Sequence, residues 1–517
     1  MLQEQNAGVA LYERLRWGAR TRPDAPCVIE AETGASLTYR AFFAATCAMR
    51  RALGPEPRRI ALALPGGITS AVIWASALTG GHALLPLAPD TPALEIARVF
   101  QRVEPDTLVM EREDAAAGFA TPSMRVWTRE KIAALIQASG DVADDLAPRP
   151  GEVILFTSGS TGEPKRVSLS AGQVAWTAEQ VRLSHQLTPL DRGLTSLPFF
   201  HVNAPVVSLC ASLMAGSSVV IAPRFSLSHF WEWVERYEVT WASLVPTILA
   251  LLLQTERPAF LPGALRFVRT ASAPLPTEHL LRFERRFGIP VIETYGLTEA
   301  ASQICANPLP PARHKPGSVG LPVGVALRIC APRSGTGAGQ LRDVPHGSMG
   351  EVCVKGHSVI TSYDGGAGAS AFEDGWLRTG DLGFQDAECY VYLTGRLRDV
   401  IIRGGENIAP REVEETLLAH TGIVEVAVIG CPDPLYGERV VAYIASREPW
   451  TDALETELRA FCATRLSPHK QPVEYVAVSA LPRTPAGKVN RPQLRRMWTR
   501  RAGYDTPMSE EPGARAG

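Results

Sequence analysis

The chain has 517 residues, of which 45% are apolar, and it carries 52 Lys and Arg against 53 Asp and Glu. That length predicts about two to four domains, and the balanced charge leaves no basic footprint for nucleic acid or an anionic membrane. Nine scattered cysteines without a CxxC pair or Cys/His ligand spacing are expected to be buried, reduced thiols. The N-terminus lacks an apolar signal core, so the expected location is cytoplasmic.

Short aliphatic runs alternate with segments of helical periodicity through the first two thirds of the chain. This alternation predicts βα units, largely parallel sheets and an α/β fold class. The predicted strands are residues 60–64, 83–87, 107–110, 153–156 and 218–221, and the clearest predicted helix is 230–237.

A smaller set of predicted elements begins near residue 395 and indicates a separate α+β lobe. Strands are predicted at 424–429 and 440–444, and helices at 411–420 and 454–466. Pro410 stands at the start of the first helix, where proline is tolerated. Residues 501–517 have few apolar side chains, and we expect a disordered tail.

A loop of hydroxyls and glycines directly follows the apolar run 153–156. It reads Thr157-Ser158-Gly159-Ser160-Thr161-Gly162-Glu163-Pro164-Lys165. Glycines let backbone N–H groups approach anionic oxygens, and the hydroxyls and lysine add donors, so the loop predicts a triphosphate site. It lacks the Gly-Lys-Ser/Thr ending of the common P-loop. An ordinary polar surface loop is the alternative.

Four further motifs follow in order along the chain. They are Glu293-Thr294-Tyr295-Gly296-Leu297-Thr298-Glu299, Trp376-Leu377-Arg378-Thr379-Gly380-Asp381, Gly395-Arg396-Leu397-Arg398-Asp399 and Pro485-Ala486-Gly487-Lys488. With the glycine-rich loop, this set resembles the acyl-adenylate-forming superfamily of acyl-CoA synthetases, luciferases and nonribosomal adenylation domains, over roughly residues 10–495.

The resemblance implies a particular domain organisation. Residues 1–394 would form an adenylation domain that binds ATP and the acid, with parallel-sheet α/β subdomains. Residues 395–399 would be a hinge, and 400–500 a small mobile lobe that carries a catalytic lysine, with ATP bound in the cleft between domain and lobe. Arg398 stands at the hinge position, where Lys or Asp is usual in this family.

The resemblance also assigns roles to individual residues. Joining a carboxylate to AMP mainly requires positioning and neutralisation of negative charge, so cations and N–H donors are needed. The phosphates would be held by the loop residues Thr157, Ser158, Gly159, Ser160, Thr161, Gly162 and Lys165. Mg²⁺ would be held by Glu299 with Thr161, in a site completed by phosphate oxygens and water.

The remaining nucleotide contacts are implied in the same way. Tyr295 would stack on adenine, beside Glu293, Thr294, Gly296 and the turn Ser272, Ala273 and Pro274. Asp381 would accept the ribose hydroxyls with Arg396 as a second contact. The catalytic group would comprise Lys488, which bridges the carboxylate and the α-phosphate, together with Thr298, Glu299 and His201. Singly, each of these residues also suits an ordinary structural role.

The segment Pro198-Phe199-Phe200-His201-Val202-Asn203-Ala204 resembles the family's acyl-pocket motif, with His201 as either a substrate-side gate or a packed core residue. Residues 300–308 and 315–320 resemble the oxalate–CoA ligase branch. Oxalate-activating relatives typically carry histidines at the positions of Asn203 and Ser302, which are absent here. We therefore expect a small or medium, relatively uncharged acid in preference to oxalate.

The thiol acceptor has two candidates. CoA is the first, and the phosphopantetheine of an acyl or peptidyl carrier protein is the alternative, because both present the same thiol. By the same resemblance, Gly404 and Gly405 would reach the site after the lobe turns. A non-catalytic nucleotide binder is a minor alternative, since binding alone does not require Lys488.

Overall fold

The structure, a computed structural model, describes residues 8–112, 121, 123–140, 146–157, 165–256, 263–333, 341–366, 368–484 and 488–502. The chain divides into two compact units. The first comprises Met1–Thr379 and Gly383–Leu393, and the second comprises Gly380–Leu382 and Thr394–Gly517.

The strands are numbered in chain order. They are β1 Pro26–Glu30, β2 Ser36–Thr38, β3 Arg59–Ala63, β4 Ala83–Pro86, β5 Thr107–Met110, β6 Arg125–Thr128, β7 Glu152–Thr157, β8 Lys165–Ser170, β9 Arg192–Thr195, β10 Ser218–Ile221, β11 Trp241–Leu244, β12 Phe267–Thr270, β13 Val291–Leu297, β14 Ser302–Ala306, β15 Leu321–Pro322, β16 Ala326–Cys330, β17 Gly350–Lys355, β18 Phe372–Glu373, β19 Trp376–Gln385, β20 Val391–Arg396, β21 Ile401–Arg403, β22 Glu406–Ile408, β23 Ile423–Asp433, β24 Gly437–Ser446 and β25 Glu474–Ala477.

The α-helices are numbered in the same way. They are α1 Ala10–Thr21, α2 Tyr39–Leu53, α3 Ile68–Gly80, α4 Ala93–Val103, α5 Arg129–Gln137, α6 Ala171–Ser184, α7 Ala211–Ala215, α8 Phe230–Arg236, α9 Pro246–Leu252, α10 Thr277–Phe287, α11 Pro410–Leu418, α12 Asp452–Ala463 and α13 Arg491–Arg501. A π-helical stretch, Asn203–Cys210, precedes α7, and a 3₁₀ turn, Thr298–Ala300, follows β13.

The largest sheet has the order β15-β14-β13-β12-β11-β9-β10-β1-β2. Its central pairs, from β13 through β12, β11, β9 and β10 to β1, are parallel. Strands β9 to β12 are buried at every position except Arg192, as expected for strands covered on both faces. The helical segments between them make the crossovers that parallel pairing requires.

A second sheet of the first unit has the order β6-β5-β3-β4-β7-β8. All its pairs are parallel except β7 with β8, which are antiparallel and in register from Glu152 opposite Ser170 to Thr157 opposite Lys165. Helix α6 starts directly after β8 with a capping box, in which Ser170 and Gln173 satisfy each other's backbone N–H groups.

The second unit contains a separate sheet with its own core. Strands β22-β21-β24-β23 are adjacent in that order, and β25 pairs with β24. Ile401, Val428 and Ile444 of the sheet pack with Val413 of α11 and Leu458 of α12 in one apolar cluster. The unit therefore buries its own apolar surface, as an α+β lobe does.

The predicted α/β class and the smaller α+β lobe are confirmed. Every strand and helix listed above as predicted overlaps an observed one, and only the boundaries shift: the helix predicted at 411–420 is Pro410–Leu418. None of the nine cysteines, all within the described ranges, forms a disulfide, and eight are buried. The expectation of burial is wrong for Cys389, which is exposed in the connection between β19 and β20.

The described residues bear on the predicted tail and on membrane-spanning helices. Of the tail predicted at 501–517, residues 503–517 lie outside the described residues. Across the described ranges, no helix combines the length and the apolar character that crossing a bilayer requires.

We predict that Gly320→Ala lowers the melting temperature far more than Gly347→Ala. Both glycines have positive φ, +91° and +80°. A Cβ at Gly320 would lie 2.0 Å from the carbonyl carbon of Ala306, whereas a Cβ at Gly347 meets nothing within 4 Å. We expect about 1 kcal/mol of destabilisation at Gly347 and several times that at Gly320. Equal shifts in thermal unfolding would contradict the close approach.

Candidate active site

The large sheet has a topological switch point between β9 and β11. The chain leaves β9 towards β10 on one side, and leaves β11 towards β12 on the other. In open parallel sheets such a reversal opens a crevice at the carboxyl ends of the two strands, where ligands bind. The segments that follow β9, β12 and β13 therefore frame the first candidate site.

The segment after β9 carries the predicted acyl-pocket motif. The His201 ring lies against Phe200, with centroids 4.5 Å apart, and Asn203 begins the π-helical stretch. The Asn203 amide donates to Ser272 Oγ at 3.1 Å and accepts from Arg269 Nη1 at 2.8 Å. The motif is thus joined to the turn after β12, and π-helical turns are frequent at functional sites.

The glycine-rich loop connects β7 and β8. Its ends, Thr157 and Lys165, are paired opposite each other across the two antiparallel strands. The predicted phosphate contacts Ser158, Gly159, Ser160, Thr161 and Gly162 lie outside the described residues. Since the chain continues as a strand and not as a helix, the connection differs from the strand–loop–helix of a P-loop.

Lys165 and Glu299 converge on one side chain, Tyr363. The Lys165 ammonium lies 4.7 Å from the centre of the Tyr363 ring, and the Tyr363 hydroxyl donates to Glu299 Oε1 at 3.0 Å. Burial and the adjacent carboxylate raise the pKa of Tyr363, so its hydroxyl stays protonated and remains a donor. Sequence reasoning did not include Tyr363, which lies outside the quoted motifs.

The donor set at Glu299 fits the implied magnesium ion. The 3₁₀ turn that holds Thr298 and Glu299 supplies one carboxylate, and Tyr363 fixes the orientation of that carboxylate. Magnesium is usually bound by one or two carboxylates plus phosphate oxygens and water, so a single oriented glutamate suffices.

The predicted adenine-side residues lie on β13 and in the turn after β12. Glu293, Thr294 and Tyr295 are all buried, and the Thr294 hydroxyl donates to the backbone carbonyl of Thr270 at 2.9 Å. Tyr295 packs in an apolar cluster that includes Ile304. A Cβ at Gly296 would lie 1.6 Å from the Ser302 carbonyl oxygen, so only glycine fits there.

The turn Ser272, Ala273 and Pro274 follows the carboxyl end of β12. Ser272 has a φ of +74°, an uncommon conformation for a residue other than glycine. Its hydroxyl accepts from Asn203, which places the predicted adenine edge next to the predicted acyl pocket.

In the second unit, Asp381 and Arg396 are brought together. Arg396 Nε lies 2.9 Å from Asp381 Oδ1, and the Asp381 side chain is only 7% exposed while that of Arg396 is 38% exposed. The two predicted ribose contacts therefore form an ion pair. Arg398 lies close by, and burial together with the charge of Arg396 lowers its pKa.

The other two sites predicted in the second unit are turns. Gly404 and Gly405, with φ of +61° and +88°, form the two-residue connection of the β21–β22 hairpin. Two positive φ values are what a type I′ turn requires. Lys488 closes a loop whose residues 485–487 lie outside the described ones, and the Thr484 amide donates to the Lys488 carbonyl at 2.7 Å.

One residue near the crevice was missed by sequence reasoning. Arg269 on β12 is only 1% exposed and donates to Asn203 and to Ser243. The signal was present in the strand Phe267-Val268-Arg269-Thr270, because a charge inside a buried parallel strand breaks its apolar pattern.

Family models and relatives agree with this fold and site. The chain matches the AMP-binding enzyme model over residues 15–364 and the AMP-binding enzyme C-terminal domain over 412–488. It is 37% identical over 490 residues to a sulfoacetate–CoA ligase of Cupriavidus necator, covering 91% of this chain and 94% of that protein. An oxalate–CoA ligase of Arabidopsis thaliana is 38% identical over 365 residues, 68% of each chain.

A solved structure extends the comparison to a bound nucleotide. The o-succinylbenzoate coenzyme A synthetase of Bacillus subtilis, in complex with ATP and magnesium ion, superposes with a TM-score of 0.80 at 28% identity. The match covers 93% of this chain and 98% of that one.

Fold and site together define an enzyme of the AMP-forming acid–thiol ligase class. The chain belongs to the AMP-binding enzyme family, as an acyl-CoA synthetase-type member with an N-terminal and a C-terminal family domain. The predicted resemblance is thereby confirmed.

We predict that Tyr363→Phe weakens the binding of Mg²⁺ during nucleotide use, so that more Mg²⁺ is needed. Phenylalanine keeps a ring beside Lys165 but removes the hydroxyl that orients Glu299. A hydrogen bond to a charged group contributes about 1.5–3 kcal/mol, so the apparent Mg²⁺ affinity in pyrophosphate exchange should fall by roughly tenfold or more. Tyr237→Phe, which removes a hydroxyl bonded to the Ala31 carbonyl, is the control. An unchanged Mg²⁺ titration would contradict this role of Tyr363.

Proposed function

We propose that this enzyme joins an organic acid to AMP at the crevice beyond β9 and β11, then transfers the acyl group to CoA. The observation that carries the proposal is the convergence of Lys165 and Glu299 on Tyr363. A cation at the end of the glycine-rich sequence and a carboxylate able to bind magnesium, both in contact with one tyrosine, suit a bound triphosphate.

In the first half-reaction, a carboxylate oxygen attacks the α-phosphorus and pyrophosphate leaves. Lys165 and the loop 157–165 bind the β- and γ-phosphates and offset their negative charge. Glu299 and Thr161 would hold Mg²⁺, which would neutralise phosphate charge, and Thr298 is assigned to the catalytic group. Tyr295 and the turn Ser272–Pro274 position the base.

The second unit supplies the ribose contacts and the catalytic lysine in this proposal. The Asp381 carboxylate accepts hydrogen bonds from the ribose hydroxyls. Its ion pair with Arg396 orients the carboxylate for these bonds. Lys488 donates to the attacking carboxylate and to the α-phosphate, which brings two anionic groups into contact. His201 lies at the substrate side of the crevice.

In the second half-reaction, a thiol attacks the acyl carbon and AMP leaves. We assign residues 395–399 as the hinge for this change and Gly404–Gly405 as the turn that borders the thiol's path. CoA is the favoured acceptor because the relatives named above are CoA ligases. A carrier-protein phosphopantetheine is the second candidate, because it presents the same thiol as CoA.

Reduced cysteines and the use of ATP and CoA support a cytoplasmic location as part of the proposal.

An acceptor assay tests the thiol assignment. Acyl-adenylate formed in place is offered CoA or a phosphopantetheinylated carrier protein at equal concentration. Thioester formation with CoA supports the proposal. Transfer to the carrier protein alone would show that the carrier protein, and not CoA, is the acceptor.

We predict that Lys488→Ala slows adenylation by on the order of a hundredfold or more, as removal of one transition-state donor does. Transfer from a pre-made acyl-adenylate to CoA should change little, because the attack on phosphorus has already occurred. Rapid-quench measurement of each half-reaction separates the two effects. Lys131→Ala, at an exposed position on α5, controls for net charge. Equal loss in both half-reactions would remove the assigned role.

We predict that Asp381→Ala chiefly weakens ATP binding, by about tenfold or more, because the ribose loses a charged acceptor and Arg396 loses its partner. Isothermal titration with ATP measures the effect directly. Asp343→Ala, which removes an exposed carboxylate bonded to Arg328, is the control. Unchanged ATP affinity in Asp381→Ala would rule out the ribose contact.

A further inference from the structure

Lys488 belongs to two short arms of the second unit, residues 482–484 and 488–490. The arms run antiparallel, with a bridge between Arg483 and Val489. A pair of strands this short is only marginally stable in water by itself. Contacts with the rest of the unit must therefore hold the arms, and with them the backbone of Lys488, in place.

Packing and a helix cap hold the second arm. Val489 packs against an apolar cluster that includes Ile429 of β23 and Trp498 of α13. The next side chain, Asn490, accepts from the Gln493 amide and caps the N-terminus of α13. The second arm therefore leads directly into a capped helix.

Two ion pairs connect the arms to β23. Arg483 of the first arm pairs with Glu425 of β23. Arg491, which directly follows the second arm, pairs with Glu414 of α11, and Glu414 Oε1 also accepts from the Val428 amide of β23 at 2.8 Å. These two ion pairs, Arg483–Glu425 and Arg491–Glu414, are named the anchor pairs. Each fixes one arm to the same strand, directly or through Glu414.

The anchor pairs are partly shielded from solvent. The side chain of Glu425 is 29% exposed and that of Glu414 only 12%. Fully exposed ion pairs contribute little, because water and mobile side chains weaken them. Charge-assisted hydrogen bonds between a guanidinium and a carboxylate are stronger and directional, so a partly buried pair restricts where the two groups lie. The anchor pairs are thus suited to fixing the arms.

The proposed function makes the position of Lys488 important. Its ammonium must meet the attacking carboxylate and the α-phosphate together, from the end of a flexible four-carbon stem. A misplacement of about 1 Å in such an arrangement costs on the order of a hundredfold in rate. Because the stem is flexible, the backbone that carries it must be fixed for the ammonium to reach the productive geometry.

We propose that the anchor pairs are positioning residues for Lys488 in adenylation. They hold the arms against β23 and act on the reaction only through the lysine. The inference rests on the proposed function, which assigns Lys488 to the first half-reaction. Loss of an anchor pair should therefore slow adenylation but not thiol transfer, in which the lysine has no assigned role.

Glu425→Gln tests the proposal, because it keeps the side-chain shape and removes the charge that Arg483 meets. The readout is ATP–pyrophosphate exchange with the acid that the unaltered enzyme uses fastest, from a panel that includes oxalate and sulfoacetate. We expect exchange to slow by about tenfold, through kcat more than through KM for ATP, because Lys488 acts in the transition state. Transfer from a pre-made acyl-adenylate to CoA should stay within about twofold of the unaltered rate.

Glu455→Gln is the matched control. The side chain of Glu455 is also 29% exposed, lies in the same unit and pairs with Arg459 within α12. This substitution removes an ion pair of similar exposure but leaves both anchor pairs intact, so adenylation should not change. Slowing equal to that of Glu425→Gln would overturn the inference, because the loss of any ion pair in the unit would then have this effect.

The same substitution in a Lys488→Ala background separates positioning from a structural role. If Glu425 acts through Lys488, Glu425→Gln should slow the residual exchange of Lys488→Ala no further, because residues that act as one unit are not additive. A further loss of the same size would overturn the inference. Loss in Arg483→Gln without loss in Glu425→Gln would also overturn it, because Arg483 would then act by itself and not through the anchor pair.

The outcomes separate this inference from the function beneath it. Slow exchange in Lys488→Ala with unchanged exchange in Glu425→Gln overturns the positioning role alone. Unchanged exchange in Lys488→Ala removes the proposed role of the lysine, and no exchange with any acid removes the proposed function. If Glu425→Gln fails to fold, Glu414→Gln, which removes the charge of the other anchor pair, decides by the same measurements.

Discussion

One electrostatic constraint governs the proposed chemistry: a carboxylate must reach the α-phosphorus of a triphosphate although both are anionic. In the proposed mechanism, the first unit meets the triphosphate side of this constraint with a lysine and a glutamate that contact one tyrosine. Tyr363 contacts Lys165 through its ring and Glu299 through its hydroxyl, so one side chain joins the cation to the proposed magnesium-binding carboxylate. We assign the acid to the large sheet, because its topological switch point lies between β9 and β11.

Backbone geometry makes these positions possible. Gly296 accepts no side chain because the Ser302 carbonyl lies where a Cβ would be, which lets β13 and β14 approach closely beside Tyr295. The Gly404–Gly405 hairpin turn similarly requires two positive φ values. The backbone geometry thus explains why glycine stands at positions 296, 404 and 405, whether or not a ligand is bound.

Much of the fold was readable from the sequence, because alternating apolar runs and helical segments have distinct periods. The runs 107–110 and 218–221 coincide with β5 and β10 without change. The order of the motifs identified the family, but it could not reveal pairings over long separations. Tyr363 is 64 residues from Glu299, and Arg269 is 66 from Asn203, so only the folded chain brings either pair into contact.

An isotope measurement tests the central claim, activation through an acyl-adenylate, most directly. The acid is labelled with ¹⁸O in the reacting carboxylate and incubated with ATP, Mg²⁺, CoA and the enzyme, and the products are examined by mass spectrometry. Attack on the α-phosphorus predicts one labelled oxygen in AMP and the other in the thioester carbonyl. Label in orthophosphate with formation of ADP would contradict the account, because the acid would then have attacked the γ-phosphorus.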